Sequence, residues 1–189
     1  MSTVLTSEIP PRRVPPARRP AIPADDPLYR PPAIAWPTLG LFALALMLWG
    51  WAFQVAVTGA LHPVLAIVLL TVAAFMHFTV LHDGVHRSLM RGFPVANEVV
   101  ATTAGAFLGP IVTGAAFRYV HFTHHRHASD PQADPDGWSG VGPRWRLPLQ
   151  WATADLMYAR IILRDWSRIP RRERAQIIGV TGGVVLAYT

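Results

Sequence analysis

The chain has 189 residues, of which 51% are hydrophobic and only 15% are charged, whereas ordinary soluble domains carry about 25% charged residues. No Asp, Glu, Lys or Arg occurs in the 52 consecutive residues from Pro31 to His82, which excludes an ordinary cytosolic fold. Cysteine is absent, so disulfide scaffolds, thiolate zinc sites and cysteine nucleophiles are excluded as well. The 17 basic residues are all Arg and give a net charge of +6. They flank apolar segments and form no nucleic-acid-binding motif, so we expect no nucleic-acid partner.

Residues 1–33 precede the first apolar segment and are rich in Pro and Arg. They hold nine of the 18 prolines, and proline removes backbone donors and blocks regular helix, so we predict a disordered cytoplasmic tail. We favour a solvated arm held near anionic lipid headgroups over a specific binding motif. The Arg pairs resemble a twin-arginine signal, but the apolar segment begins well downstream, which argues against a cleaved signal peptide.

Two apolar segments follow, one from about Trp36 to Val57 and one from about Pro63 to Leu81. Each has close to the 20 residues that cross roughly 30 Å of hydrocarbon, and a short uncharged turn separates them. The pattern predicts a transmembrane helical hairpin whose two ends return to the same side. The Arg-rich tail places that side in the cytoplasm.

A third apolar stretch, from Phe93 to Phe117, is weaker and contains a Gly109-Pro110 break. We predict a re-entrant segment that dips into the bilayer and returns to the cytoplasmic face. Its non-helical backbone must then be covered by protein.

The remaining residues predict a cytoplasmic insert and one more apolar segment. The insert covers residues 137–175, and the pattern from about Leu149 to Arg168 predicts an amphipathic helix that lies in the membrane interface, packs against the rest of the protein, or does both. The last apolar stretch begins near Ile177 and is too short to cross a bilayer, so we expect the chain to end mid-span. Residues 34–189 are thus predicted to form an all-α integral membrane bundle that is incomplete at its C-terminus.

Two clusters contain five of the eight histidines, and both have helical spacing. Residues three and four apart share one face of a helix, and both clusters adjoin apolar segments that end on the same predicted side. Imidazoles are costly to desolvate unless something coordinates them, and they suit iron, zinc, copper and nickel. Five ligands exceed what one zinc ion takes, which indicates two metal ions. The predicted ligands are His82, His86, His121, His124 and His125.

Several polar residues near these clusters allow more than one interpretation. The first cluster resembles the metalloprotease motif His-Glu-x-x-His, but Asp83 replaces the Glu and a protease has no need of a second cluster. Asp130, Asp134 and Asp136 either hold histidine tautomers or form an Asx-type turn cluster. Arg118 either pairs with one of these Asp residues or extends to the membrane interface.

Three histidines lie outside the predicted ligand set. His62 occupies the turn on the opposite side and is not expected to bind metal. His77, inside the second span, is predicted to be buried and hydrogen-bonded. His127 is a weaker candidate ligand, because it follows His124 by three residues.

Together these motifs resemble the integral-membrane fatty acid desaturase superfamily, which includes carotenoid hydroxylases and ketolases. The resemblance covers about residues 34–189. It rests on His82, Asp83, His86, Arg118, His121, His124, His125 and the Asp-Pro-rich run to Asp136. It implies two non-haem iron ions, O₂ as a co-substrate, and oxidation of an unactivated C–H bond in a lipid. Because no Gly-rich dinucleotide motif is present, electrons are expected from an external donor of the ferredoxin or cytochrome type.

The resemblance implies a membrane oxidoreductase, with fatty acyl desaturation as the first expectation and carotenoid hydroxylation or ketolation as the second. Members of the superfamily carry a third box of the His-x-x-His-His kind, and this sequence stops before such a box. We therefore expect either a fragment of an enzyme or a truncated, inactive membrane protein.

Overall fold

A computed structural model describes residues 32–130 and 132–189. Nearly all of the predicted disordered tail lies outside these residues. Residues 33–189 form one compact unit. Within the described ranges the only β structure is an isolated bridge between Ile34 and Met90, and the predicted all-α class is confirmed. The α-helices in this part of the chain are α1 Trp36–Val57, α2 Pro63–Val85, α3 Pro94–Ala106, α4 Gly114–His127, α5 Leu147–Ala152, α6 Ala154–Arg164 and α7 Arg171–Tyr188.

Helices α1 and α2 pack along each other as the predicted hairpin. Both are long and apolar enough to cross a membrane, and each has a proline in its first turn, where the missing N–H costs nothing. The connecting turn needs a left-handed residue, which Gly59 supplies at φ 68°. Helix α2 runs four residues past the predicted end at Leu81, so it carries His82 in its last turn.

The C-terminal end of α2 packs closely against α3 through small residues. A Cβ atom added to Gly84 would lie 2.4 Å from the Cβ of Ala101, so a larger residue does not fit there. The buried side chain of Asn97 donates a hydrogen bond from Nδ2 to the Gly84 carbonyl at 2.7 Å. Because Gly84 lies between the two histidines of the first cluster, this contact fixes where those histidines point.

The third apolar stretch is a broken helix, as its sequence predicts. Helix α3 ends at Ala106, Gly109 takes a φ of 137° in the turn, and α4 begins at Gly114. The 13 residues of α3 rise about 20 Å, which is short of the roughly 30 Å hydrocarbon layer. The dip of this segment into the bilayer stays a prediction.

The single amphipathic helix predicted from Leu149 to Arg168 is wrong. The chain forms α5 and α6 there, separated at Thr153, and then a 3-10 turn from Trp166 to Arg168. The helix is interrupted at Thr153, whose φ of −110° and ψ of 9° depart from helical values.

Helix α6 packs against the rest of the protein, which was one of the two interpretations of the amphipathic pattern. Ile162 joins a buried cluster with Val120 of α4 and Ile177 of α7. Leu156 and Leu163 stay exposed, so a location of this face in the membrane interface stays a prediction. Helix α7 begins at Arg171, six residues before the predicted start near Ile177.

Candidate metal centre

The end of α2 and the face of α4 bring four of the five predicted ligands together. The Nε2 atom of His86 lies 2.9 Å from Nε2 of His121, which lies 3.0 Å from Nε2 of His125. The ring of His82 is centred 4.7 Å from the ring of His121. These four side chains, His82, His86, His121 and His125, are called the imidazole cluster below.

The donor atoms of the imidazole cluster fit a metal ion. Ring nitrogens of His82, His86 and His121 all lie within 4.8 Å of one another. Two imidazole nitrogens that bind one ion at about 2.1 Å and at a right angle lie about 3 Å apart, which matches the spacing around His121. Three nitrogens this close cannot all be protonated, so at least one lone pair faces another ring. A metal ion held by these rings would accept those lone pairs.

The surroundings of His86 and His121 favour neutral rings, which are the form that binds metal. Burial and the neighbouring imidazoles lower the pKa of His121 to about 4. Burial, followed by His82 and His125, also lowers the pKa of His86. At neutral pH these rings therefore offer lone pairs without first losing a proton.

His124 does not point into the imidazole cluster in the way that its spacing predicts. Its Nδ1 atom lies 2.8 Å from Oδ1 of Asp134 and 3.4 Å from Oδ2 of Asp136. A carboxylate only accepts, so the proton is on Nδ1 and the neutral ring keeps its lone pair on Nε2. The hydrogen bond to Asp134 raises the pKa of His124. The assignment of His124 as a ligand stays a prediction, and Nε2 is the atom that it requires.

The Asp-Pro-rich loop combines the two roles that its sequence left open. Asp134 accepts backbone N–H bonds from Ser129 and Asp136, as in an Asx-type turn, and also holds His124. Asp130 accepts N–H bonds from Gln132 and Ala133 and has no histidine hydrogen-bond partner among the described residues. The loop therefore orients one carboxylate toward a predicted ligand.

For Arg118 the structure excludes one of the two open interpretations, and for His77 it corrects part of the prediction. Arg118 pairs with Glu98 of α3, and not with an Asp of the loop, because α3 lies beside α4. His77 is fully buried as predicted, but neither of its ring nitrogens has a hydrogen-bond partner in the part of the chain that the structure covers. Its ring instead stacks on Phe107 with centroids 4.5 Å apart. The predicted hydrogen bond of His77 is therefore wrong.

The two remaining histidines lie away from the imidazole cluster. His62 accepts a hydrogen bond from the Val64 N–H at the start of α2, which is the opposite end of that helix. His127 is exposed at the end of α4, and its ring makes no contact with the imidazole cluster within the described residues.

An apolar groove of about 750 Å³ borders the imidazole cluster. Phe117 lines it and stacks on the ring of His121 at 5.0 Å. Tyr158 of α6 also lines it and donates a hydrogen bond to Oδ1 of Asp136 at 2.7 Å. Sequence reasoning missed Tyr158, because 22 residues separate it from Asp136 and no local spacing links them.

Removal of the Asp134 carboxylate is expected to weaken metal binding. Asp134→Ala frees the His124 ring to rotate, and loss of such an outer partner costs about 10–100-fold in metal affinity or activity. His124→Ala, which removes the ring itself, is also expected to weaken metal binding while membrane insertion stays intact. Iron titration of the purified variants measures the first effect. Asp130→Ala is the matched control, since it changes the same loop without touching a histidine. Equal losses in the two Asp variants would contradict the role of Asp134.

Comparisons with known proteins agree with these features. Residues 58–188 match the fatty acid desaturase family, a range that contains both histidine clusters. A β-carotene ketolase from Paracoccus sp. (strain PC1) is 33% identical over 117 residues, which cover 57% of this chain and 46% of the ketolase. The chain thus spans about half the length of the curated relative that it matches. No solved structure matches the chain significantly.

Proposed function

Because the chain belongs to the fatty acid desaturase family, we propose that it oxidises a membrane lipid with O₂ at a non-haem di-iron centre. The imidazole cluster supplies four ligands to this centre, and His124, held by Asp134, supplies a fifth. The observation that carries the proposal is the convergence of His86, His121 and His125 at ring-nitrogen distances near 3 Å.

The substrate class explains why a metal is needed. An unactivated C–H bond has no acidic proton and no leaving group, so acid–base groups alone do not break it. Iron, when bound, supplies the redox chemistry, and the protein supplies position and environment. Phe117 and Phe78 line the apolar groove and place their rings against His121 and His82. An oily substrate in this groove is held next to the two aromatic rings that contact the cluster.

The membrane setting supports delivery of such a substrate. The family match and the two long apolar helices support a membrane location. We propose a multi-pass topology with the imidazole cluster on the cytoplasmic side, because Arg87 and Arg91 directly follow α2. An external electron donor of the ferredoxin or cytochrome type reaches the cluster from that side.

The substrate that we propose is a carotenoid, although the sequence by itself favours a fatty acyl chain. The similarity to a protein named as a β-carotene ketolase supports the carotenoid. The groove of about 750 Å³ has the size of a small-molecule pocket and an aromatic wall, which suits a bulky apolar group. Fatty acyl desaturation is the second candidate and is supported by the family as a whole.

Product analysis tests the proposal. Cells that accumulate a carotenoid hydrocarbon and supply a ferredoxin are grown with O₂, with and without the protein, and their pigments and acyl chains are analysed by mass spectrometry. We expect an oxygenated carotenoid only in cells that contain the protein. New acyl double bonds without oxygenated pigment would replace the carotenoid by the acyl substrate. The absence of both products, together with purified protein that binds no iron, would reject the oxidase and support an inert membrane protein.

A further inference from the structure

A second cavity, of about 430 Å³, lies among the ends of α3, α4 and α7 and is lined mostly by polar residues. Three arginines and two glutamates face it, so its walls carry one net positive charge. These residues are Arg87, Arg118, Arg172, Glu98 and Glu173. None of them belongs to the imidazole cluster.

The ion pair at the base of this cavity leaves two polar atoms without partners. The terminal nitrogen of Arg118 donates to Oε2 of Glu98, but Nε of Arg118 and Oε1 of Glu98 are buried with no hydrogen-bond partner among the residues covered. Both atoms lie beneath the cavity wall, so this ion pair forms the floor of the cavity. Arg87 and Arg172 are the exposed charged groups that a ligand reaches.

The start of α7 also favours an anion. Its first turn contains Arg171, Arg172 and Arg174, and Pro170 at the N-cap supplies no side-chain hydrogen bond. The N-terminus of a helix carries a partial positive charge, so basic side chains there are unfavourable, and Glu173 is the single acid of this turn. An anion in front of the free N–H groups offsets both effects.

Two of the cavity arginines are available to a ligand. Arg87 and Arg172 are exposed and form no ion pair within the described part of the chain. Arg87 also has a φ of 57°, a left-handed conformation that non-glycine residues rarely adopt. This backbone turn directs the chain away from α2 two residues after Val85. In the proposed topology, this end of α2 lies at the level of the lipid headgroups.

We propose that this cavity binds the phosphate of a phospholipid headgroup, with Arg87 and Arg172 as its charged contacts. Free phosphate has the same chemistry, but the cavity lies at the end of an apolar helix, where lipid phosphates are concentrated. The bound lipid holds the ends of α2 and α7 at the membrane surface. The proposal does not depend on the oxidase function.

Lipid retention by single variants tests this site. Detergent-purified protein is incubated with short-chain phosphatidylglycerol, and bound lipid is counted by native mass spectrometry. Wild-type protein is expected to retain one lipid, and Arg87→Gln and Arg172→Gln are each expected to bind it about tenfold more weakly through loss of one charge-assisted hydrogen bond. Arg91→Gln and Arg160→Gln are matched controls, because both arginines are exposed and lie outside the cavity.

Three results would overturn the proposal. Equal losses in the cavity variants and the controls would show unspecific charge attraction. Equal retention of a glycolipid that lacks phosphate would show that the acyl chains alone bind. Displacement of the lipid by inorganic phosphate at the same concentration would assign the site to a free anion. Circular dichroism of each variant establishes that the helices are intact.

Discussion

His121→Ala is expected to remove iron from the protein and to lower lipid oxidation by more than the about 10–100-fold that loss of an outer partner costs. The reason is the central position of His121, whose Nε2 atom lies within 3.0 Å of Nε2 in both His86 and His125. No other ring of the imidazole cluster has two such contacts within the described residues. Iron content per chain after purification measures the effect directly, and the oxidation rate measures its consequence.

His62→Ala is the control for this variant. It also removes one histidine, but His62 lies at the far end of α2 and only caps that helix. It should keep its iron and lose at most about 1 kcal/mol of stability. If His121→Ala retained a full complement of iron, His121 would not be a ligand and the proposed centre would be rejected.

Gly84→Ala is expected to lower the free energy of unfolding by about 1–3 kcal/mol, the usual cost of overpacking a close contact. The added Cβ would lie 2.4 Å from Cβ and 3.1 Å from Cα of Ala101. Neither atom moves without the backbone, so α2 and α3 must separate. Because His82 and His86 flank Gly84, iron affinity is expected to fall as well. Thermal unfolding in detergent, with and without iron, measures both effects.

Two further variants make this test specific. Gly50→Ala in α1 has open space around the new methyl group, so it is expected to raise stability by about 0.5–1 kcal/mol through helix propensity. Adding Ala101→Gly to Gly84→Ala removes the 2.4 Å contact and should recover part of the loss, because the new glycine itself costs about 0.5–1 kcal/mol in a helix. A destabilisation that Ala101→Gly leaves unchanged would show that the contact between the two helices is not its cause.

The hairpin and the helix break could be predicted because each depends on local sequence. An uncharged run long enough to cross a bilayer predicts α1 and α2 without reference to any other segment. The Gly109-Pro110 pair likewise interrupts a helix wherever that helix packs. The separation of α5 from α6 was missed, since a threonine at position 153 is compatible with either a continuous or a broken helix.

The histidine spacing determined only part of the candidate site. At about 100° per residue, His121 and His125 lie about 40° apart around α4, while His124 lies about 60° to the other side of His121. Spacing alone therefore permits either of the later two to face the first cluster. The way α4 packs against α2 decides between them, and it turns His125 inward and His124 toward Asp134.

The sequence by itself determined the helical class, the two long apolar helices and the presence of two ligand-spaced histidine clusters, because these follow from composition and from periodicity within single segments. Only the tertiary structure decided the pairing of Arg118 with Glu98, the support of His124 by Asp134, and the hydrogen bond from Tyr158 to Asp136. These contacts join residues 10 to 22 positions apart. The packing of separate segments decides which residues form these contacts, and that packing does not produce a periodic pattern in the sequence.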